Sequence, residues 1–506
     1  MRWFRTVMTT LLLITLLVTL ASAQMPRRLV SVEFSTWEQL QGLAGRGLLI
    51  LNHQNGVLAA LASDEQISRL RSEGRAVRVL DPQPDPDSYY LAYLPDEVVQ
   101  EVLGRISHYA YQPGVVIARA GAADVERLAA RGIGLVKLPR AMKIPQTSLT
   151  RDSITAIAQG YSPGIQTMVD VVSSTQLVGQ VCKLQDDDGQ EYCNALGTRY
   201  SYATTDLAAA AQYIGDQLSG YGLTVSYDSF TYNGYPMNNV VAELTGTGPN
   251  SSHVVILGAH YDSTSRDPLN AAPGADDNGS GSTGVIEAAR ILSKHSFDRT
   301  IRFVLFSGEE QGLIGSAHYA SQISARGDLV DAVINLDMIG YETVPPGDHI
   351  VEVHAGLDPA SNALADAIIA NVAEYGVQLD VQKITSGATN RSDHASFWNV
   401  GYPAVLGIED FSDFNPYYHS TSDTLSNMQI PLMVEYTRVC VATVAELAGE
   451  WSGAGPTATV TSTQTPTSTV IPTETVIPTA TPTAILQTTG LWLPLIIRHA
   501  ALLPRP

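Results

Sequence analysis

The sequence predicts an α/β protein: an α/β/α sandwich on a mixed, largely parallel central sheet, preceded by a small N-terminal α+β accessory domain. Two observations carry this. From about residue 196 to residue 452, apolar strand-like runs alternate with amphipathic helical runs, the pattern of a sheet covered by helices on both faces. Before residue 146, shorter strand–helix–strand units recur with matching phrasing and without a catalytic cluster.

Residues 1–23 read as a signal peptide. "MRWFR" supplies two arginines, "LLLITLLVTL" an apolar core, and Ala21–Ala23 a small-x-small cleavage pattern. The core is short for a span and polar "QMPRR" follows, so the expectation is cleavage, export and no stable membrane span in an extracellular mature chain. Residues 24–145 form the accessory domain. "LLILNHQNGVLAALASDEQISRLRSEGRAVRVLD" reads strand, strand, helix, strand, and "GVVIARAGAADVERLAARGIGLVKL" repeats strand–helix–strand. It is either a packing domain or a prosegment folded over an active site. Residues 146–195 read as a polar connection with weak periodicity.

In residues 196–452, "TTDLAAAAQYIGDQLSGYG" is a helix stopped by glycine. "GSGSTGVIEAARILSKH" and "MVEYTRVCVATVAELAGEW" are further helices, while "SHVVILGAHYD", "IRFVLFSGEE", "DAVINLDMIG" and "YPAVLGIED" are strands. Residues 453–485 are a Thr/Pro-rich linker unable to form a core. The tail, residues 486–506, turns apolar with basic residues. It reads either as a sorting signal for cell-surface attachment or as a merely apolar end.

A formal charge of −20 excludes a nucleic-acid partner, which needs a basic surface, and is compatible with the collection of divalent cations. Cys182 and Cys193 bracket an acidic loop and are placed for a disulfide in an oxidising compartment. Cys440 lies in an apolar helical pattern and reads as a buried thiol.

Ligands of open α/β sheets bind beyond the carboxyl ends of the strands. Metal-type side chains collect there: His260 and Asp262 end one strand, Glu309 and Glu310 another, and Asp337 a third. His419 lies in "NPYYHSTSD" after a fourth, and Asp276 and Asp277 sit in the turn "PGADDNGSG". Each alone reads equally as a surface pair or a helix cap. Their joint placement at strand ends is the donor set of a borderline metal such as zinc.

In the order in which they occur, "GAHYDS", "PGADDNGSG", "FSGEEQGLIGS", "NLDMIG" and "YHSTSDT" resemble the signatures of the M28 family of zinc aminopeptidases. The resemblance covers roughly the second half of the chain before the linker. It implies two zinc ions per chain, one held by His260 and Asp337 and the other by Glu310 and His419, with Asp276 bridging them. It also implies a cis peptide bond to Asp277, which would then be a geometric helper. Asp262 would accept a hydrogen bond from the non-ligating nitrogen of His260, and Asp423 would support His419. Glu309 would be the general base toward a metal-bridging water. Adjacent residues at a strand end point to opposite sides, so Glu310 would face a metal while Glu309 stays free. Tyr418 is either a hydrogen-bond donor to the oxyanion or a packed tyrosine. Asp393 and His394, in "SDHASFW", fall near the site without matching a ligand position.

The expected function is therefore a secreted di-zinc aminopeptidase acting on peptides with a free N-terminus. Alternatives on the same fold are a glutaminyl cyclase, a carboxypeptidase or dipeptidase, and a non-catalytic relative acting as a binding module. There is no GxSxG elbow and no HExxH helix.

Overall fold

The computed structural model describes residues 26–94, 103–129, 131, 133–145, 160–185, 196–343 and 347–452. The expected signal peptide, Thr/Pro linker and apolar tail lie outside the described residues, as does Cys193. Cys182 is disulfide-bonded, and Cys440 is a free, buried thiol.

The N-terminal region folds as two small sheets of identical plan. The first contains β1 (Arg27–Glu33), α1 (Trp37–Gly45), β2 (Leu49–Gln54), β3 (Val57–Ser63), α2 (Asp64–Ser72) and β4 (Val77–Asp81), in strand order β2-β3-β1-β4. The second contains β5 (Tyr89–Tyr93), β6 (Ser107–Gln112), β7 (Val115–Arg119), α3 (Ala122–Ala129) and β8 (Gly134–Lys137), in order β6-β7-β5-β8. Strand for strand this is one arrangement used twice, as the repeated phrasing of the sequence implies. Local signals set its boundaries: Ser63 and Gln66 form a reciprocal capping box where β3 turns into α2.

The expected connection at 146–195 differs from what is observed. It contains α4 (Pro163–Asp170) and α5 (Ser174–Leu184), whose Ile165, Met168, Leu177 and Val181 enter the main core. Each helix is only two or three turns long, too short for its apolar period to stand out in sequence. Next come α6 (Thr204–Gly220), β9 (Thr224–Tyr232), β10 (Tyr235–Leu244), β11 (His253–His260), α7 (Gly281–Leu292) and β12 (Thr300–Phe306). The chain continues through α8 (Ile314–Arg326), β13 (Leu329–Leu336), β14 (Ile350–His354), α9 (Pro359–Glu374) and β15 (Asp380–Ile384). It closes with α10 (His394–Asn399), β16 (Ala404–Glu409) and α11 (Ile430–Ala448).

The eight-stranded sheet has the order β15-β14-β16-β13-β11-β12-β10-β9. Its middle, β16, β13, β11 and β12, is parallel, while β14 runs against β16, and β10 and β9 complete one edge as an antiparallel pair. Strand residues alternate between two cores. Val255, Leu257 and Ala259 of β11 join the cluster under α7 and α11, whereas Val254 and Ile256 join Tyr319 and Ile323 of α8. This is the expected α/β/α sandwich.

The N-terminal sheets are not separate from it. One buried cluster contains Leu29, Leu61, Leu91, Tyr111 and Val136 together with Leu313 and Ala395 of the main domain. Asn390 donates to the Asn52 side chain at 3.1 Å, and the Lys143 backbone N–H donates to the Asn399 carbonyl at 2.8 Å. Shared burial on this scale makes Leu313 a structural joint. Leu313→Ala should destabilise the full chain by about 2–4 kcal/mol through the cavity it leaves. Denaturant unfolding measures this, and an unchanged midpoint would contradict a shared core.

Candidate active site

Three parallel strands deliver their chemistry at one edge. β11 ends in His260, β13 is followed at once by Asp337, and β12 runs into Ser307-Gly308-Glu309-Glu310. Glu309 and Glu310 are not strand residues as expected. They lie in a turn that starts three residues after Phe306 and that Gly308 enters at φ +75, a conformation favouring glycine. Their separation comes from that turn, not from strand alternation.

The turn is fastened by Asp262. Its two carboxylate oxygens accept the backbone N–H groups of Glu309 (3.2 Å) and Glu310 (3.4 Å), and Ser201 donates to it at 2.8 Å. The His260 Nδ1 lies 3.1 Å from the Asp262 backbone carbonyl and 3.7 Å from its carboxylate. The backbone oxygen thus takes the closer contact expected of the side chain, and the carboxylate holds the glutamate turn. With Nδ1 engaged, Nε2 of His260 faces Asp337 Oδ1 (3.3 Å) and Asp277 Oδ1 (3.4 Å).

The residue between the two histidines is Asp277, which corrects the expectation for Asp276. Asp277 Oδ1 reaches His260, and its Oδ2 lies 3.2 Å from His419 Nε2, which is also 2.9 Å from Glu310 Oε2. Asp276 turns away: its carboxylate accepts from the Gly340 N–H and the Asn415 side chain, both at 2.9 Å. The cis peptide bond is Asp277–Asn278, likewise one residue later than expected. The Asp423 carboxylate accepts the backbone N–H groups of Asp276 (3.1 Å) and Asp277 (3.0 Å), so it supports this turn rather than His419. Behind the turn, the fully buried Arg199 guanidinium donates to the carbonyls of Tyr261, Leu184, Pro273 and Gly274.

Two donor groups result. His260, Asp277 and Glu310 present ligand atoms within 4.8 Å of one another, and so do His260, Glu309 and Asp337. Burial raises the Glu310 carboxyl to about 7 and lifts Glu309 well above the carboxylate range, in each case despite a nearby histidine. Asp277 is held low despite its burial by hydrogen bonds from His260 and His419. Burial opposes the charged form of His419, yet Glu310 and Asp277 raise it to about 10. Glu310 Oε1 is buried without a hydrogen-bond partner. Clustered carboxylates, two imidazoles and an unpartnered buried oxygen are what a bound divalent cation would satisfy, so the donor set fits zinc.

Tyr418 stacks on the His419 ring with centroids 3.7 Å apart, and its hydroxyl lies 3.4 Å from Arg391 Nη2. Tyr418 also lines a cavity with Met338, Leu406, Ile408, Phe411 and Phe414, open to Asp277, Glu309, Asp337 and His419. Asp393 is buried nearby with both oxygens unpartnered, and burial raises it to about 7. His394 points elsewhere, its Nε2 2.9 Å from the Thr389 carbonyl and its ring edge-on to Trp398. Sequence reasoning missed Arg391, Asn415 and Glu409. Glu409, which accepts the Asn415 backbone N–H at 2.8 Å, ended a predicted strand, Asn415 opened "NPYYHSTSD", and Arg391 lay in "TSGATNRSDHASFWNVGYP", a stretch the sequence assigns to the substrate pocket, but nothing in the linear pattern marked their individual roles.

A model of peptidase family M28 matches residues 239–444. A probable leucine aminopeptidase 1 of Trichophyton verrucosum is 30% identical over 305 residues, covering 57% of this chain and 78% of the relative. A probable aminopeptidase of Saccharomyces cerevisiae is 31% identical over 238 residues, 45% of this chain; the chain spans only 62% of that relative's length. Among solved structures, the LapA aminopeptidase of Legionella pneumophila superposes with a TM-score of 0.56 at 23% identity, covering 72% of this chain and 99% of LapA. LapB from the same organism gives 0.51 at 19% identity, covering 83% and 99%. Both share the fold.

The buried neutral His394 makes stability depend on pH. Burial lowers its pKa from 6.5 to about 3, so the unfolded chain binds this proton first as pH falls. Its contribution is full above about pH 6.5 and is lost toward pH 3, by up to about 1.4 kcal/mol per pH unit. His394→Gln should flatten the acid limb of a stability profile measured from pH 7 to pH 5. An unaltered slope would show that His394 is not held neutral.

Proposed function

Since the chain belongs to peptidase family M28, we propose that it is a secreted metallo-aminopeptidase that removes N-terminal residues from peptides. The observation that carries the reading is the placement of Asp277, whose two oxygens face His260 on one side and His419 on the other. Two zinc ions fit these donors: His260 and Asp337 for one, Glu310 and His419 for the other, with Asp277 shared. Zinc bound there would supply Lewis acidity to a carbonyl oxygen and lower the pKa of water.

The protein's own groups have distinct tasks in this reading. Glu309 adjoins His260 and Asp337 and lies outside the Asp277–His419 contacts; in this reading His260 and Asp337 hold the ion, and Glu309 takes a proton from the attacking water and passes it to the leaving amine. Burial favours its protonated form, the form it takes on accepting that proton. Asp262 fixes the turn that aims Glu309. The Tyr418 hydroxyl, beside Arg391, is placed to donate to the carbonyl oxygen as negative charge develops on it. The cavity of Met338, Leu406, Ile408 and Phe414 provides an apolar seat for the side chain of the residue being removed. Export rests on the leader-like N-terminus of the sequence.

Glu309→Gln separates proton transfer from metal holding. The variant should retain about two zinc ions per chain by metal analysis while losing roughly 100- to 10,000-fold in turnover of an unblocked leucyl peptide. N-blocked peptides should not be cleaved by either form. Undiminished turnover in the variant would remove Glu309 from the mechanism, and cleavage of blocked peptides would refute an aminopeptidase.

A further inference from the structure

A second recess opens from the same donor group as the apolar-floored cavity. Glu309, Arg391, Tyr418 and His419 line both spaces. The far side of the second recess is not made by the main domain. It is the segment Ile133–Val136, which includes the start of β8 of the N-terminal region. Ile133, Leu135 and Val136 bury their side chains in the cores of that region, so β8 turns mainly backbone toward the recess. The approach is close. A Cβ on Gly312 would lie 3.4 Å from the Leu135 carbonyl oxygen, and one on Gly134 would lie 2.9 Å from Arg391 Nη2.

We propose that this recess receives the free carboxylate of a short leaving peptide, with Arg391 as its cation and β8 as its end wall, making the enzyme selective for di- and tripeptides. The proposal rests on the aminopeptidase reading and adds its substrate class. A peptide lying across the donor group puts the residue being removed over the apolar floor and the remainder toward β8. A backbone wall does not discriminate between side chains, but it limits length. Against that wall stands Arg391, which has no carboxylate within 4 Å among the described residues, whereas Arg299, Arg302 and Arg438 each hold at least one. Arg391 is positioned from two sides, with the Tyr93 ring centroid 5.1 Å from its guanidinium carbon and the Tyr418 hydroxyl 3.4 Å from Nη2. The other titratable side chains lining the recess, Glu309, Glu310 and His419, belong to the donor group already described, so the Arg391 guanidinium is the group left there to hold an anion. The anion that every short peptide carries at its far end is its α-carboxylate.

The zinc-loaded full chain is assayed with Leu-Gly, Leu-Gly-Gly, Leu-Gly-amide and a leucine-initiated hexapeptide. Leu-Gly should exceed its amide and the hexapeptide by about tenfold or more in kcat/KM, with the difference from the amide expressed in KM. Arg391→Gln should abolish the preference, with KM for Leu-Gly rising to meet that of the amide. The same preference should appear as tighter calorimetric binding of Leu-Gly than of its amide to the Glu309→Gln chain, a readout that needs neither turnover nor an Arg391 variant. Equal kinetics on all four peptides would overturn the carboxylate site while leaving the aminopeptidase reading intact. A loss in Arg391→Gln that is equal for dipeptide and amide and confined to kcat would also overturn it, assigning Arg391 to the support of Tyr418. Cleavage of none of the four would overturn the aminopeptidase reading itself, and the proposal with it.

Discussion

The constraint on which the molecule turns is the crowding of acidic side chains in a buried place. Asp277, Glu309, Glu310 and Asp337 meet at the carboxyl edge of one sheet, and Asp262, Asp276, Asp393, Glu409 and Asp423 lie buried around them. Like charges so close, away from water, resist ionisation, and burial raises Glu309, Glu310, Asp393, Glu409 and Asp423 above the usual carboxylate range. Two histidines offset part of this. Divalent cations would offset the rest, which is why the donor set reads as a metal centre and not as a solvated acidic surface.

The surrounding structure is organised to hold those acids still. Asp262 fastens the Glu309–Glu310 turn through its backbone, and Asp423 does the same for Asp276 and Asp277. Arg199 ties four carbonyls around the entrance to the second turn. Each acts on main chain, so loops beyond a rigid parallel sheet gain the positional precision of the sheet itself. The N-terminal sheets extend this support to Arg391 through Tyr93 and to the glutamate turn through β8.

Much of this was legible in the sequence because strand ends announce themselves. His260, Glu310, Asp337 and His419 stand where apolar runs break into polar loops, and the structure brings each to the expected edge. Asp276 and Asp277 could not be told apart in this way. Two adjacent aspartates in a glycine-rich turn have the same composition and the same neighbours, and only the backbone path decides which carboxylate faces inward. The roles of Asp262 and Asp423 were hidden for a related reason: they bind backbone N–H groups, which leave no mark on side-chain spacing. Packing of the N-terminal sheets over the site was one of two readings the sequence left open, and it could not be decided there because β8 meets the site largely through backbone and one glycine. The short helices α4 and α5 passed for a linker because so few apolar positions define them.

The central claim is that Asp277, and not its neighbour, joins the two halves of the metal centre. Zinc bound per chain in Asp277→Asn and Asp276→Asn, both confirmed as folded, tests it most directly. The account predicts that Asp277→Asn loses zinc at both positions, because its carboxylate faces both histidines, while Asp276→Asn retains about two ions per chain. Full zinc content in Asp277→Asn together with loss in Asp276→Asn would contradict it.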